Sequence, residues 1–216
     1  MRSSPGLPEG AWGWLNDLAR WIGTWCFVPF FRLRVHRRER VPRTGPVVVV
    51  ANHSAFVDGP LLYGLLGRRA VFLVKDEMFR GPLGYVLPRM GQLAVRRGTV
   101  DRRPLMAALD VLRGNGMVVV FPEGTRGTGE VAAARHGAAW LARQAQAPLL
   151  PVACRGTARP SGGKRRLRPR VDVLVGDPLP TPTGRGRAEL AEATEGIRTA
   201  LVTLVADVDE IRVSGQ

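Results

Sequence analysis

Val47-Val48-Val49-Val50-Ala51 is an apolar run with no polar residue at either alternate position, the pattern of a strand covered on both faces. It stops at Asn52-His53, and Gly59-Pro60 then opens a second apolar stretch, Leu61 to Leu66, which reads as a short helix. Ala70-Val71-Phe72-Leu73-Val74 follows and ends in Lys75, so strand, helix and strand fit within about thirty residues, the signature of a βαβ unit with parallel strands. The alternation continues. Gly81-Pro82-Leu83-Gly84 and Pro88 punctuate the next segment, and Gly91 to Val95 is a short strand candidate ending in arginines. Asp101 caps a helix whose buried stripe is Leu105, Leu109 and Leu112 and which closes at Gly114 or Gly116. Met117 to Phe121 is another buried strand, Gly137 to Gln146 a helix, Pro148 to Cys154 a strand and Arg170 to Val175 an alternating strand. Leu190, Ile197, Leu201, Leu204 and Val208 describe a final amphipathic helix that covers one sheet face.

Before the first of these strands the character differs. Trp14, Leu18, Trp21, Trp25 and Val28 recur at steps of three and four, while Asn16, Arg20 and Thr24 line another face and Pro29 marks the end. Asn16, Asp17 and Arg20 interrupt any signal-peptide core and make a spanning helix costly. Two placements remain: in a membrane interface, where tryptophans concentrate, or docked on the protein's own core. The basic tract Arg32, Arg34, Arg37, Arg38, Arg40 and Arg43 fits the first, because each cation near an anionic surface adds about 1 kcal/mol. The expected organisation is α/β: a single domain over 35–216 with a mostly parallel central sheet flanked by helices, plus an N-terminal amphipathic membrane-associating arm over 1–34. The expected location is peripheral, on the cytoplasmic face of a membrane.

Composition narrows the partners. Lysine and arginine number 32 against 18 acidic residues, a net charge of +14, which points to an anionic membrane, nucleic acid or phosphorylated small molecules. The two cysteines, Cys26 and Cys154, are far apart with no metal-ligand spacing, so neither a disulfide framework nor a zinc site is indicated.

The candidate chemistry sits where the valine run ends. His53 falls in a strand-to-helix crevice, and Asp58, five residues on, occupies an N-cap position from which its carboxylate turns back to the imidazole. A histidine so oriented is a candidate general base. Lys75 ends the next strand at the same sheet edge, where open α/β sheets place ligands. The bland alternatives are a hydrogen-bonded structural histidine, an aspartate that only caps, and a solvated lysine.

Four motifs in order carry a resemblance to the glycerolipid (lysophospholipid) acyltransferase family. Asn52-His53 with Asp58 resembles its first motif, Gly91 to Arg97 its second, Phe121-Pro122-Glu123-Gly124-Thr125-Arg126 its third and Leu150-Pro151-Val152 its fourth. The third is the most specific. In the second, Ala94 stands where the family has phenylalanine, a departure that bears on the acceptor more than on the reaction.

The resemblance implies acyl transfer from a thioester to the free hydroxyl of a lysophospholipid, foremost 1-acylglycerol-3-phosphate. His53 is then the base, Asp58 fixes its tautomer, and no acyl-enzyme forms. Acceptor phosphate binding is assigned to Arg97 and to Glu123, Gly124, Thr125 and Arg126, guanidinium groups matching phosphate oxygens and Glu123 orienting Arg126 or an acceptor hydroxyl. Lys75 is a candidate for the oxyanion or the phosphate. No metal or cofactor enters the scheme, and acyl-CoA or acyl carrier protein is the co-substrate. From other classes, a basic phosphate- or nucleic-acid-binding module requires its cations in a groove remote from His53, and a silent membrane-surface protein requires His53 and Asp58 held apart. Nucleic acid is not the expected partner, because no recognition motif or aromatic platform lies on a strand.

Overall fold

Successive side chains of a strand point to opposite faces, so an unbroken valine run requires an apolar layer on each side. The computed structural model, which describes residues 5–27, 29–96, 101–122, 131–158, 167–184 and 186–214, with backbone only for 131–135, supplies both layers. Strands β1 (Arg32–His36), β2 (Val47–Ala51), β3 (Ala70–Lys75), β4 (Leu93–Val95), β5 (Met117–Val120), β6 (Leu149–Arg155) and β7 (Arg170–Val175) form one sheet in the order β1-β7-β6-β2-β5-β3-β4. Helices α1 (Gly13–Trp25), α2 (Asp58–Leu65), α3 (Gly81–Arg89), α4 (Arg103–Arg113), α5 (Val131–Ala145) and α6 (Arg187–Ser214) surround it. Val47, Val49 and Ala51 pack with Leu61, Leu62 and Leu65 of α2. Val48 and Val50 face Leu109 and Leu112 of α4, Leu141 of α5 and Ile197 of α6. The fold is a three-layer α/β domain, parallel except where β7 runs against β6.

β2 and β3 are parallel, as the βαβ reading expects, with β5 between them. Several other expectations are corrected. The start of the basic tract is an edge strand: Leu33 and Val35 turn towards the core while Arg32 and Arg34 point out, a period of two hidden by its charges. The punctuated segment is helix α3, whose Pro82 lies in its first turn, where a missing amide costs little, while Pro88 lies inside the helix near its end and removes one bond of its ladder. Helix α5 starts at Val131 rather than Gly137. Strand β7 is buried along most of its length rather than on alternate positions, and it carries the buried Asp172.

Asp172 joins three elements. Its Oδ1 accepts from His36 Nε2 at 3.1 Å, and its Oδ2 from Arg170 Nε and Arg212 Nη1, both at 2.8 Å, so β1, β7 and α6 share one carboxylate. Burial opposes its charge, but the histidine and the two guanidiniums outweigh burial and hold the carboxyl below its ordinary value.

Helix α1 packs on α2 and presents its polar and small residues inward. Asn16 is fully buried and donates to the Met90 carbonyl at 2.7 Å, Asp17 meets Arg69 at 2.6 Å, and the Thr24 hydroxyl donates to the Gly64 carbonyl at 3.0 Å. The backbones touch at Gly64, where a Cβ would lie 2.6 Å from the Thr24 amide nitrogen. The apolar stripe is left outside: Trp14, Trp21 and Trp25 are 63%, 60% and 57% exposed. Among the described residues no helix is long and apolar enough to cross a membrane.

Two stability outcomes follow from these contacts. Gly64→Leu forces α1 off α2 and costs about 1–3 kcal/mol, read as a lower midpoint in urea unfolding. Asp172→Asn leaves two half-buried guanidiniums without their counter-charge and costs less than the about 3–5 kcal/mol of breaking a fully buried pair. Because the Asp172 pKa is depressed by folding, its stabilisation is present above the unfolded carboxylate value and is lost as pH falls through the folded one. Urea midpoints of the parent chain therefore decline below about pH 4, and those of Asp172→Asn decline less steeply.

Candidate active site

The site begins with a clamp at the end of the valine run. Asn52 is buried, its Nδ2 donates to the Cys154 carbonyl at 3.0 Å, and its Oδ1 accepts from the Cys154 amide at 2.7 Å. This pair of bonds continues the β2–β6 ladder through a side chain and locks the two strand ends together. The clamped backbone presents the next residue, His53, at the sheet edge with its side chain 36% exposed.

His53 Nδ1 lies 3.3 Å from Asp58 Oδ2, a loose contact of the kind that tightens when substrate binds. Asp58 is not an N-cap. It is the first residue of α2, Val57 preceding it, and its carboxylate folds back over the turn to accept the Ser54 and Ala55 amides at 2.6 and 2.7 Å. A carboxylate at the amino end of a helix, taking two amide donors, is well placed to carry charge without water. Burial opposes ionisation, but His53, Thr157 and those amides outweigh it, so the carboxyl is held below its ordinary value. With Nδ1 turned to a buried anion, the imidazole leaves Nε2 for solvent or a ligand. Its face stacks on Phe121, the residue just beyond β5, with ring centroids 4.5 Å apart.

Because β2, β3, β4 and β5 run parallel, Lys75 and Val95 end their strands at the same edge as His53. Ala94 pairs in register with Val74, and Arg96 reaches Asp76 at 3.3 Å. Arg97, Glu123, Gly124, Thr125 and Arg126 lie outside the described residues. Among the described residues no group of three or more His, Cys, Asp or Glu side chains is arranged to hold a metal ion.

Four neighbours of the pair escaped sequence reading: Asn52 as a clamp, Phe121 as a stacking partner, and Cys154 and Thr157 behind Asp58. Burial, then the Asp58 charge, push the Cys154 thiol well up, so it stays protonated. The signal available for Asn52 was an amide side chain ending an otherwise apolar buried strand, which requires partners. Cys154 and Thr157 follow the Leu-Pro-Val motif by sequence, but only the β2–β6 pairing brings them to Asp58.

Comparison with known proteins agrees with this architecture. The chain is 35% identical over 164 residues to a 1-acyl-sn-glycerol-3-phosphate acyltransferase of Chlamydomonas reinhardtii, covering 70% of this chain and 48% of that protein. It is 26% identical over 185 residues to the enzyme of that name from Bacillus subtilis, covering 83% and 91%. It is 32% identical over 203 residues to a lyso-ornithine lipid O-acyltransferase of Pseudomonas aeruginosa, covering 84% and 76%. The chain spans about half the length of several of the curated relatives it matches. The crystal structure of a 1-acyl-sn-glycerophosphate (LPA) acyltransferase from Thermotoga maritima shares the fold, with a TM-score of 0.68 at 24% identity, covering 91% of this chain and 79% of that one. Residues 32–155, the stretch that holds the sheet edge with His53 and Asp58, match the acyltransferase family, and the chain belongs to that family.

Proposed function

We propose that this chain transfers a fatty acyl group from a thioester, acyl-CoA or acyl carrier protein, to the free hydroxyl of a lysophospholipid, with 1-acylglycerol-3-phosphate as the foremost acceptor and phosphatidic acid as product. The observation that carries the reading is the exposed His53 held at Nδ1 by a buried, charge-stabilised Asp58 in a chain of the acyltransferase family. His53 Nε2 takes the proton of the acceptor hydroxyl as its oxygen attacks the thioester carbonyl. Asp58 stabilises the imidazolium that forms. The tetrahedral intermediate then expels the thiolate as the carbon–sulfur bond breaks, and the same proton passes from His53 to the departing sulfur. Lys75 is the proposed donor to the developing oxyanion or to a phosphate at this edge. Roles in acceptor phosphate binding for Arg97, Glu123, Gly124, Thr125 and Arg126 rest on their motifs alone.

Acceptor and donor define the assay. The relative named for lyso-ornithine lipid, together with Ala94 in the second motif, favours a second acceptor class, so lyso-ornithine lipid stands beside lysophosphatidic acid in the panel. With labelled acyl-CoA or acyl carrier protein, the chain acylates at least one of these acceptors, and His53→Ala lowers kcat about 10²- to 10⁴-fold. Equal rates for the two proteins would remove His53 from the reaction.

The outward tryptophan face supports peripheral attachment to an anionic bilayer. A helix that buries asparagine and glycine while exposing Trp14, Leu18, Trp21, Ile22 and Trp25 has its packing face inverted relative to an ordinary surface helix. Its carboxyl end crosses α2, with Gly23 and Thr24 against Pro60 and Gly64. Apolar insertion and a charge of +14 are two weak signals that act together. Replacing Trp14, Trp21 and Trp25 by alanine should abolish sedimentation with anionic liposomes while leaving the urea midpoint and the activity on detergent-dispersed acceptor in place. Binding by the parent chain should weaken as salt is raised, and salt-insensitive binding would count against the charge contribution.

A further inference from the structure

The Asp58 oxygen that does not meet His53 is buried and has no hydrogen-bond partner among the described residues, and the same holds for the buried hydroxyl oxygen of Thr157. A bare oxygen on a charged, buried carboxylate is costly, and so is an unpaired buried hydroxyl. The two are close enough for the Thr157 hydroxyl to favour the charged form of Asp58, although no hydrogen bond between them is formed as they stand. A hydroxyl rotor both donates and accepts, so a small adjustment satisfies both atoms at once. The adjacent Cys154 thiol, kept protonated by burial, is a weaker donor for the same carboxylate.

The chain path to Thr157 is unusually constrained. The Asn52 clamp brings the end of β6 to the end of β2. One residue past β6, Gly156 adopts a φ of +93°, and a Cβ there would lie 2.1 Å from the Arg170 carbonyl oxygen. Only glycine permits this turn. It directs Thr157 back into the protein, where 6% of the residue remains exposed.

We infer that Thr157 is a positioning residue for the acyl transfer: its hydroxyl donates to Asp58 Oδ1 and fixes the carboxylate plane, so that Oδ2 stays aimed at His53 Nδ1. The Ser54 and Ala55 amides hold Oδ2 in place, but rotation of the carboxylate about that oxygen is opposed only from the Oδ1 side. The inference rests on the reading of His53 as the base. Because Thr157 lies behind the carboxylate, its loss acts on turnover and not on acceptor affinity.

The test compares the full chain with Thr157→Val, which keeps the shape and removes the hydroxyl, and Thr157→Ser, which keeps the hydroxyl. Nitrogen-15 spectra of labelled histidine, with the His53 signals assigned from a His53→Gln sample, report the tautomer without any substrate. In the parent chain the neutral ring carries its proton on Nδ1. In Thr157→Val the Nε2–H form gains several-fold in population, kcat falls roughly tenfold, and the acceptor KM stays within about twofold. Thr157→Ser restores both readouts. An unchanged tautomer ratio in Thr157→Val, or a serine variant as impaired as the valine one, overturns the inference. If Thr157→Val does not fold, Thr157→Ala against Thr157→Ser poses the same comparison with the same outcomes. A tautomer change without acyl transfer by the parent chain to any lysophospholipid keeps the coupling and defeats the proposed reaction, whereas activity with no tautomer change defeats Thr157 alone.

Discussion

A carboxylate cut off from solvent has to find donors within the protein, and much of the sheet edge at His53 is arranged by how Asp58 does so. Placing it as the first residue of α2 brings the helix amino end and the Ser54 and Ala55 amides to one oxygen. The turn that donates those amides begins at His53, so the bonds that stabilise the charge also set the imidazole against it. Mobile donors from solvent would reorient as the histidine gained its proton. Fixed amides do not, and that is the condition under which the proposed imidazolium is stabilised at little reorganisation cost.

The neighbouring strands make this arrangement rigid. β2 is central, bonded to β5 on one side and β6 on the other, and Asn52 extends the β6 pairing by one further residue. Phe121 from the end of β5 supplies the surface on which the His53 ring lies. His53, Lys75 and Phe121 therefore stand at or just past the ends of strands paired within the sheet, while Asp58 comes from the first turn of α2. At the other flank of the sheet, Asp172 performs the same service for β1, β7 and α6 with guanidinium and imidazole partners.

Helix α1 shows a different balance. Its inward face is held by hydrogen bonds, an ion pair and a close backbone crossing at Gly64, with little apolar burial, while its large aromatic residues remain outside. Such a helix contributes modestly to the core and keeps its hydrophobic surface for another phase. The proposed bilayer contact and the domain attachment thus use opposite faces of one element, and neither competes with the other.

The valine run, the apolar stretches around it and the four ordered motifs determined the class of fold and the pair His53 and Asp58, because burial on two faces and motif order are both written in linear sequence. Tertiary structure decided the rest. The spacing of strand and helix could not reveal that β5 separates β2 from β3, since non-local pairing depends on which apolar faces compete for the same neighbour. The period of two in Arg32 to His36 was masked by charges that face solvent from an edge strand. Periodicity identified the tryptophan stripe but left its direction open, because an amphipathic pattern does not say which face the protein keeps; the Gly64 crossing and the Asn16 and Asp17 contacts settle that it is the polar one. Thr157, in the same way, is an unremarkable threonine in a basic segment until the β6 pairing and the left-handed turn at Gly156 bring it to Asp58.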